Sequence, residues 1–287
     1  MTRLFSLFVF LHTLLTACSA PRAERGAATD ATDRYELLPL GRLERHEVRE
    51  SSGLAPANAE ATELWTHGDY GRPNALYRID KTGRLLQTLP VPGADNHDWE
   101  DLAPDPQGRL YIADCGNNDN RRRNLAIYRF DPAHPARPAD TIRFRYPDQR
   151  EFPPRKADRN FDCEAACFRA DSLLLFTKNR GKGSLITKQY AVAARPGTHV
   201  ATLVDSLELE TWVTGAAISP DGRTVALLGY GYVYFFEGSP NQRVFDRARS
   251  WVKVGTSGQA EAITFVNDHD VVFSNEKGKL FSLRKRR

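Results

Sequence analysis

Five short apolar runs open at a near-regular interval along the chain, and three of them open on a glutamate. They are Ser52-Gly53-Leu54-Ala55, Glu100-Asp101-Leu102-Ala103, Glu164-Ala165-Ala166-Cys167, Ala216-Ala217-Ile218-Ser219 and Glu261-Ala262-Ile263-Thr264. Their first residues are 48, 64, 52 and 45 positions apart. A turn follows, as at Pro104-Asp105-Pro106-Gln107-Gly108 and Pro220-Asp221-Gly222, and then a second apolar run ending in polar residues 14 or 15 positions after the opening.

Third runs rich in β-branched and aromatic residues come next, among them Leu76-Tyr77-Arg78-Ile79, Leu125-Ala126-Ile127-Tyr128 and Val233-Tyr234-Phe235. Such residues suit half-buried strands. Weaker fourth strands are predicted at Leu86–Leu89, Thr141–Phe144, Thr202–Val204 and Ser250–Lys253. A period of about 40–50 residues with four short strands in each marks radial repetition of β-sheets. The chain is therefore predicted to be all-β, a β-propeller of five blades. The fifth repeat runs out of chain after its third strand, so residues 35–44 from the N-terminus are expected to close it and leave no open sheet edge. A sixth blade within residues 130–160 is the alternative, but Pro132, Pro135, Pro138, Pro147, Pro153 and Pro154 make that stretch read as loop.

Composition changes the picture mainly at the N-terminus. One basic residue, Arg3, precedes an apolar stretch from Leu4 to Leu15, too short for an ordinary membrane span. The stretch ends in Leu15-Thr16-Ala17-Cys18, which resembles the lipobox of bacterial lipoproteins. That resemblance implies a signal peptide over residues 1–17, cleavage before Cys18 and acylation of Cys18. Residues 18–34 then form the anchor and a polar tether, and residues 35–287 the propeller domain. The expected address is the bacterial cell envelope, at the outer membrane facing the periplasm.

Forty basic and 36 acidic side chains leave a formal charge of +4. The basic runs Arg121-Arg122-Arg123 and Arg284-Lys285-Arg286-Arg287 are not interleaved with aromatics, so nucleic acid is not an expected partner. The protein is expected to be a monomer. Three cysteines remain beyond Cys18. Cys115 ends a second strand and Cys163 opens the next inner strand, at the same rim. A Cys115–Cys163 disulfide with Cys167 free is one expectation, and three free thiols the other.

Consecutive strands of a blade run antiparallel, so innermost strands begin on the face where second strands end. The glutamates and the polar clusters should therefore converge at one mouth of the central channel. Glu100, Glu164, Glu261 and Asn275 are the candidate ligands of a hard cation, with Ca²⁺ the expected ion, because it takes six to eight oxygen donors in loose geometry. The alternative is that these carboxylates pair internally with Lys178, Arg180 or Arg72. His67 with Asp69, and His97 with Asp98, are the candidate acid–base pairs, with loop closure as their structural alternative. Asp114, Asn117, Asn118, Lys178, Asn179, Arg180 and Tyr230 are candidate ligand-binding residues. Motifs of the commoner hydrolases, zinc proteases and nucleotide-binding proteins are absent from the sequence.

Trp65-Thr66-His67-Gly68-Asp69, Asp98-Trp99-Glu100-Asp101-Leu102-Ala103, Ile112-Ala113-Asp114-Cys115-Gly116-Asn117-Asn118, Asn160-Phe161-Asp162-Cys163-Glu164-Ala165 and Trp212-Val213-Thr214-Gly215-Ala216-Ala217-Ile218-Ser219 together resemble a group of exported bacterial propeller proteins, many of them lipoproteins of the Bacteroidota. The resemblance implies architecture and site location. This chain departs from it in having His67-Gly68-Asp69-Tyr70-Gly71 where relatives often have His-Asn-Asp-Ser-Gly. A looser similarity to calcium-dependent propeller hydrolases, the gluconolactonase and paraoxonase group and the β-propeller phytases, implies a metal at the channel mouth. Two functions follow as expectations. One is an envelope module that binds a protein, glycan or small molecule at the mouth. The other is a calcium-dependent hydrolase of lactones, esters or phosphoesters.

Overall fold

A computed structural model describes residues 26–287 apart from 45–47, 49, 256 and 257. The signal segment and Cys18 lie outside the described residues. The described residues form five sheets of four or five strands. The innermost strands are Ser51–Pro56, Trp99–Pro104, Asp162–Arg169, Val213–Ile218 and Ala260–Phe265, belonging to blades I to V in chain order. Each innermost strand packs on the next, and that of blade V packs on that of blade I, so the ring is closed. The fold is the five-bladed β-propeller expected. Residues 131–160 supply only the outer strand of blade II, Asp140–Arg145, and a single 3₁₀ turn, Lys156–Asp158, so the described residues form no sixth blade.

Blade V is completed by Tyr35–Arg42, which pairs antiparallel with Lys279–Lys285 and joins the two ends of the chain in one sheet. The ring holds the chain from still earlier, within the segment read as tether. Thr29–Asp30 adds parallel to the outer strand of blade IV, and Thr32 Oγ1 accepts the Lys253 N–H at 3.0 Å. Gly197–Val200 likewise adds parallel to the outer strand of blade II, which the sequence pattern did not signal.

Alternation along each strand sends side chains to both blade faces, so the core is divided among the blade interfaces. One cluster holds Leu76, Trp99 and Ile112 between blades I and II. Another holds Tyr111, Phe161 and Leu175 between II and III. Phe176 and Leu227 pack between III and IV, Phe235 and Phe273 between IV and V, and Leu54 and Val272 between V and I.

All five innermost strands share one irregularity. Their register with the second strand slips near the start, and the residues skipped are Ser52, Glu100, Glu164, Thr214 and Glu261. A bulge leaves one residue unpaired and re-aims its side chain. It also inverts the alternation that follows. For this reason Cys163 and Cys167, four positions apart on one strand, face different neighbours: Cys163 packs toward blade II and Cys167 toward blade IV.

The disulfide expectation is corrected. Cys115, Cys163 and Cys167 are all buried thiols. Cys115 and Cys163 do share one interface, but the Cys115 thiol donates to the Cys163 main-chain carbonyl at 3.6 Å, and the Cys163 thiol to the Ala165 carbonyl at 3.8 Å. The two thiols are neighbours, unbridged, and each also has a main-chain oxygen within reach.

Candidate functional site at the channel mouth

The bulged residues ring the channel mouth. Ser52 and Thr214 are short enough to bond the backbone beside them, Ser52 Oγ to the Glu50 carbonyl and Thr214 Oγ1 to that of Ala260. The three longer glutamates have different surroundings. Glu164 is buried and doubly paired, with Lys178 Nζ at 3.0 Å and Arg180 Nη2 at 2.7 Å. Arg180 also bonds Asp162 through Nε. Glu261 accepts the Tyr230 hydroxyl at 3.1 Å, and Tyr230 in turn receives Lys178 Nζ at 3.2 Å. Burial pushes Glu261 up to about 7, against the pull of Lys178.

Glu100 has no hydrogen-bond or ion-pair partner among the described residues, although it is only 7% exposed. Its neighbours are other acids. One of its oxygens lies within 4.8 Å of oxygens of Asp69 and Asp98, and a second grouping within the same limit joins Glu100 to Asp162 and Glu164. Burial, followed by the charges of Glu164 and Asp69, lifts the Glu100 carboxyl well above the usual carboxylate range. Burial pushes Asp98 up to about 7, with Asp69 and Asp162 adding to it, and also raises Asp69. On the other side of the mouth, burial opposes the Lys178 charge, but Glu164 and Glu261 outweigh it and hold the ammonium protonated.

Gly116 makes this crowding possible. A β-carbon there would fall on the carboxylate oxygens of Glu100 and Asp98, so only glycine leaves both groups their space. Asp114 supports the arrangement from below. It accepts the Asp98 N–H at 2.8 Å, Arg122 Nη2 at 3.0 Å and His97 Nδ1 at 3.3 Å.

Several expected site residues have other work. His67 is buried with 0% exposure, its Nδ1 lies 3.1 Å from the Gly68 carbonyl, and its ring packs edge-on against Trp99. Burial lowers its pKa to about 4. It is a neutral core group between blades I and II, which corrects its assignment as a mouth acid or base. Asn275 is buried and its Oδ1 accepts the Lys279 N–H at 2.9 Å. Glu261 is outside both carboxylate groupings, because Lys178 and Tyr230 stand between it and Glu164. Asn117 bridges blades II and III through the Phe161 carbonyl, and Asn179 shapes its own loop by bonding the Gly181 N–H and Ser184. Asn118 is exposed.

Asp162 and Arg122 take part as well, and Gly116 and Asp101, which support the arrangement, were not assigned from sequence. Asp101 directly follows the bulged Glu100 and points into the channel. Its Oδ2 accepts the Ala166 N–H of blade III at 2.8 Å and the Ala216 N–H of blade IV at 3.0 Å. Inner strands present unpaired N–H groups to the channel, and one carboxylate satisfies two of them. Nothing in the local pattern distinguishes this aspartate from an ordinary strand residue.

No family model matches the chain, and no curated protein does. Among solved structures, a gluconolactonase from Xanthomonas campestris is similar at 15% identity, covering 88% of this chain and 90% of its own, with a TM-score of 0.48. An aldose sugar dehydrogenase from Streptomyces coelicolor, solved with PQQ bound, is similar at 13% identity over 87% and 98%, with a TM-score of 0.49. A virginiamycin B lyase from Staphylococcus aureus is similar at 15% identity and a TM-score of 0.41, and the chain spans 65% of its length. None of these likenesses bears on the chemistry of the mouth.

Proposed function

We propose that the mouth is a divalent-cation site, with calcium the fitting ion, and that the protein binds an oxygen-bearing ligand there outside the cytoplasm. The observation that carries this reading is Glu100, a buried carboxylate whose near neighbours Asp98 and Asp69 are also acids and which has no basic partner. Glu164 and Asp162 have Lys178 and Arg180, and Asp114 has Arg122, whereas no ion pair reaches the Asp69, Asp98 and Glu100 trio among the described residues, and Arg122, Lys178 and Arg180 act on it only from a distance. Buried carboxylates at this spacing either take up protons or share a cation. An all-oxygen donor set suits Ca²⁺ or Mg²⁺ over softer metals. A bound ion there would neutralise the trio and offer its remaining positions to ligand oxygens. Lys178, Arg180 and Tyr230, on the opposite side of the mouth, would orient an anionic or hydroxyl-rich ligand.

Binding is favoured over hydrolysis because His67 is no longer available for proton transfer. One observation supports the second reading, a calcium-dependent hydrolase: His97 is half exposed and its Nδ1 is held by Asp114, which leaves Nε2 at the rim. The lipid anchor at Cys18 and the envelope address are part of this proposal and rest on the N-terminal sequence alone.

Calorimetric titration with CaCl₂ tests the cation site. The wild-type chain is expected to bind one ion, with Glu100→Gln abolishing the heat while remaining folded. No heat with either Ca²⁺ or Mg²⁺ would remove the reading. A screen of lactones, esters and phosphoesters with His97→Ala as control decides between binding and turnover. Loss of acyl labelling in Cys18→Ser tests the anchor.

A further inference from the structure

A second cavity lies away from the mouth, at the seam where blade V meets blade I. Its volume is about 460 Å³, within the range of small-molecule sites. Glu60 and Asn267 line it, from the turns that follow the innermost strands of blades I and V, so it opens on the face opposite the carboxylates. Its apolar side is the edge of the hydrophobic cluster joining the two blades, formed by Leu40, Val266 and Val272.

The charges around this cavity are mostly basic. Lys81 comes from the blade I turn, and Arg284, Lys285 and Arg287 from the end of the chain. Some surface arginines elsewhere pair with carboxylates, among them Arg72 with Glu50, Arg84 with Asp80, Arg109 with Asp105 and Arg129 with Asp140, while others such as Arg121 and Arg143 have no ion pair among the described residues. At the seam, Lys81, Arg284 and Arg287 have no carboxylate partner among the described residues, while Lys285 reaches Glu237 only at 3.8 Å. Two acids, Glu60 and Asp270, line the cavity with them, and Asp270 is already engaged. Its oxygens accept Asn267 Nδ2 at 2.9 Å and the Lys285 N–H at 2.9 Å.

We infer that this seam binds a small anionic amphiphile, a phosphate or carboxylate group carried on a short apolar chain. The head group lies on Arg284, Arg287 and Lys81, where guanidinium forks match oxyanions bidentately, and the chain lies along Leu40 and Val266. Cationic side chains beside apolar surface complement both ends of such a molecule, whereas a bare anion would leave the apolar side uncovered.

The test is calorimetry of the intact chain with hexyl phosphate, inorganic phosphate and hexanol, each at low and high salt. Hexyl phosphate is expected to bind at least about tenfold more tightly than either fragment and to weaken as salt rises. The double variant Arg284→Glu/Arg287→Glu should lose about tenfold or more, and Lys81→Glu, on the opposite blade, should also weaken binding. All three groups reach the surface, so an unchanged melting temperature and unchanged Ca²⁺ response at the mouth would show that only the seam was altered. Equal affinity for inorganic and hexyl phosphate would overturn the amphiphile. Binding that ignores the charge reversals, or none at all, would overturn the site.

Discussion

The carboxylate of Asp101 in blade II accepts the main-chain N–H of Ala216 in blade IV at 3.0 Å, across the channel between two blades that are not neighbours in the ring. The same oxygen holds Ala166 of blade III, and the other accepts the Leu102 N–H at 2.8 Å. Burial pushes this carboxyl up to about 8 against the pull of those three N–H groups. Removing the acceptor strands two buried donors on other blades, so Asp101→Ala should cost about 3–5 kcal/mol, and Asp101→Asn, which keeps one acceptor oxygen, clearly less. Denaturant melts of both variants measure the difference. Equal and small losses would mean that the channel contact is dispensable.

Gly116→Ala places a methyl group where the oxygens of Glu100 and Asp98 now lie. The carboxylates must move, at a cost of about 1–3 kcal/mol, and the trio loses its spacing. The variant is expected to fold and to bind Ca²⁺ at least about tenfold more weakly, as a thermal shift titration would read.

The mouth carboxylates make stability depend on pH in the sense opposite to that of salt-bridged acids. Asp98 and Glu261 titrate at about 7 in the folded chain, and Glu100 is raised well above its ordinary value. Groups raised on folding bind more protons folded than unfolded between their two values, so the stability of the metal-free protein falls as pH rises from about 4.5 to 8. Ca²⁺ competes with those protons, so its affinity should increase over the same window. Melting temperatures in EDTA and in Ca²⁺, at pH 5.5 and 8, should therefore diverge as pH rises. Parallel curves would remove the coupling.

Burial also raises the thiols of Cys115 and Cys167, Cys167 up to about 12, so the native protein should resist alkylation at neutral pH. Mass mapping after denaturation without reductant is expected to find Cys115, Cys163 and Cys167 all labelled. An unlabelled Cys115 and Cys163 would restore the bridge.

Five blades, their order and the N-terminal closure were legible in the sequence because strand period and blade period are properties of the chain itself. That Asp69, Asp98, Glu100 and Glu164 meet at one face was legible as well, since antiparallel connection fixes which strand ends meet. Charge pairing was not. Glu100, Glu164 and Glu261 occupy equivalent bulges, yet one has no partner, one has two cations and one has a tyrosine, and those partners come from other strands and other blades. His67 looked like its neighbours at the mouth, but the packing of blade I on blade II buried it. Repetition is written locally in the order of apolar and polar residues. Whether a buried acid keeps its charge, takes a proton or calls for a cation depends on which groups the closed ring brings within a few ångströms, and only the tertiary structure decides that.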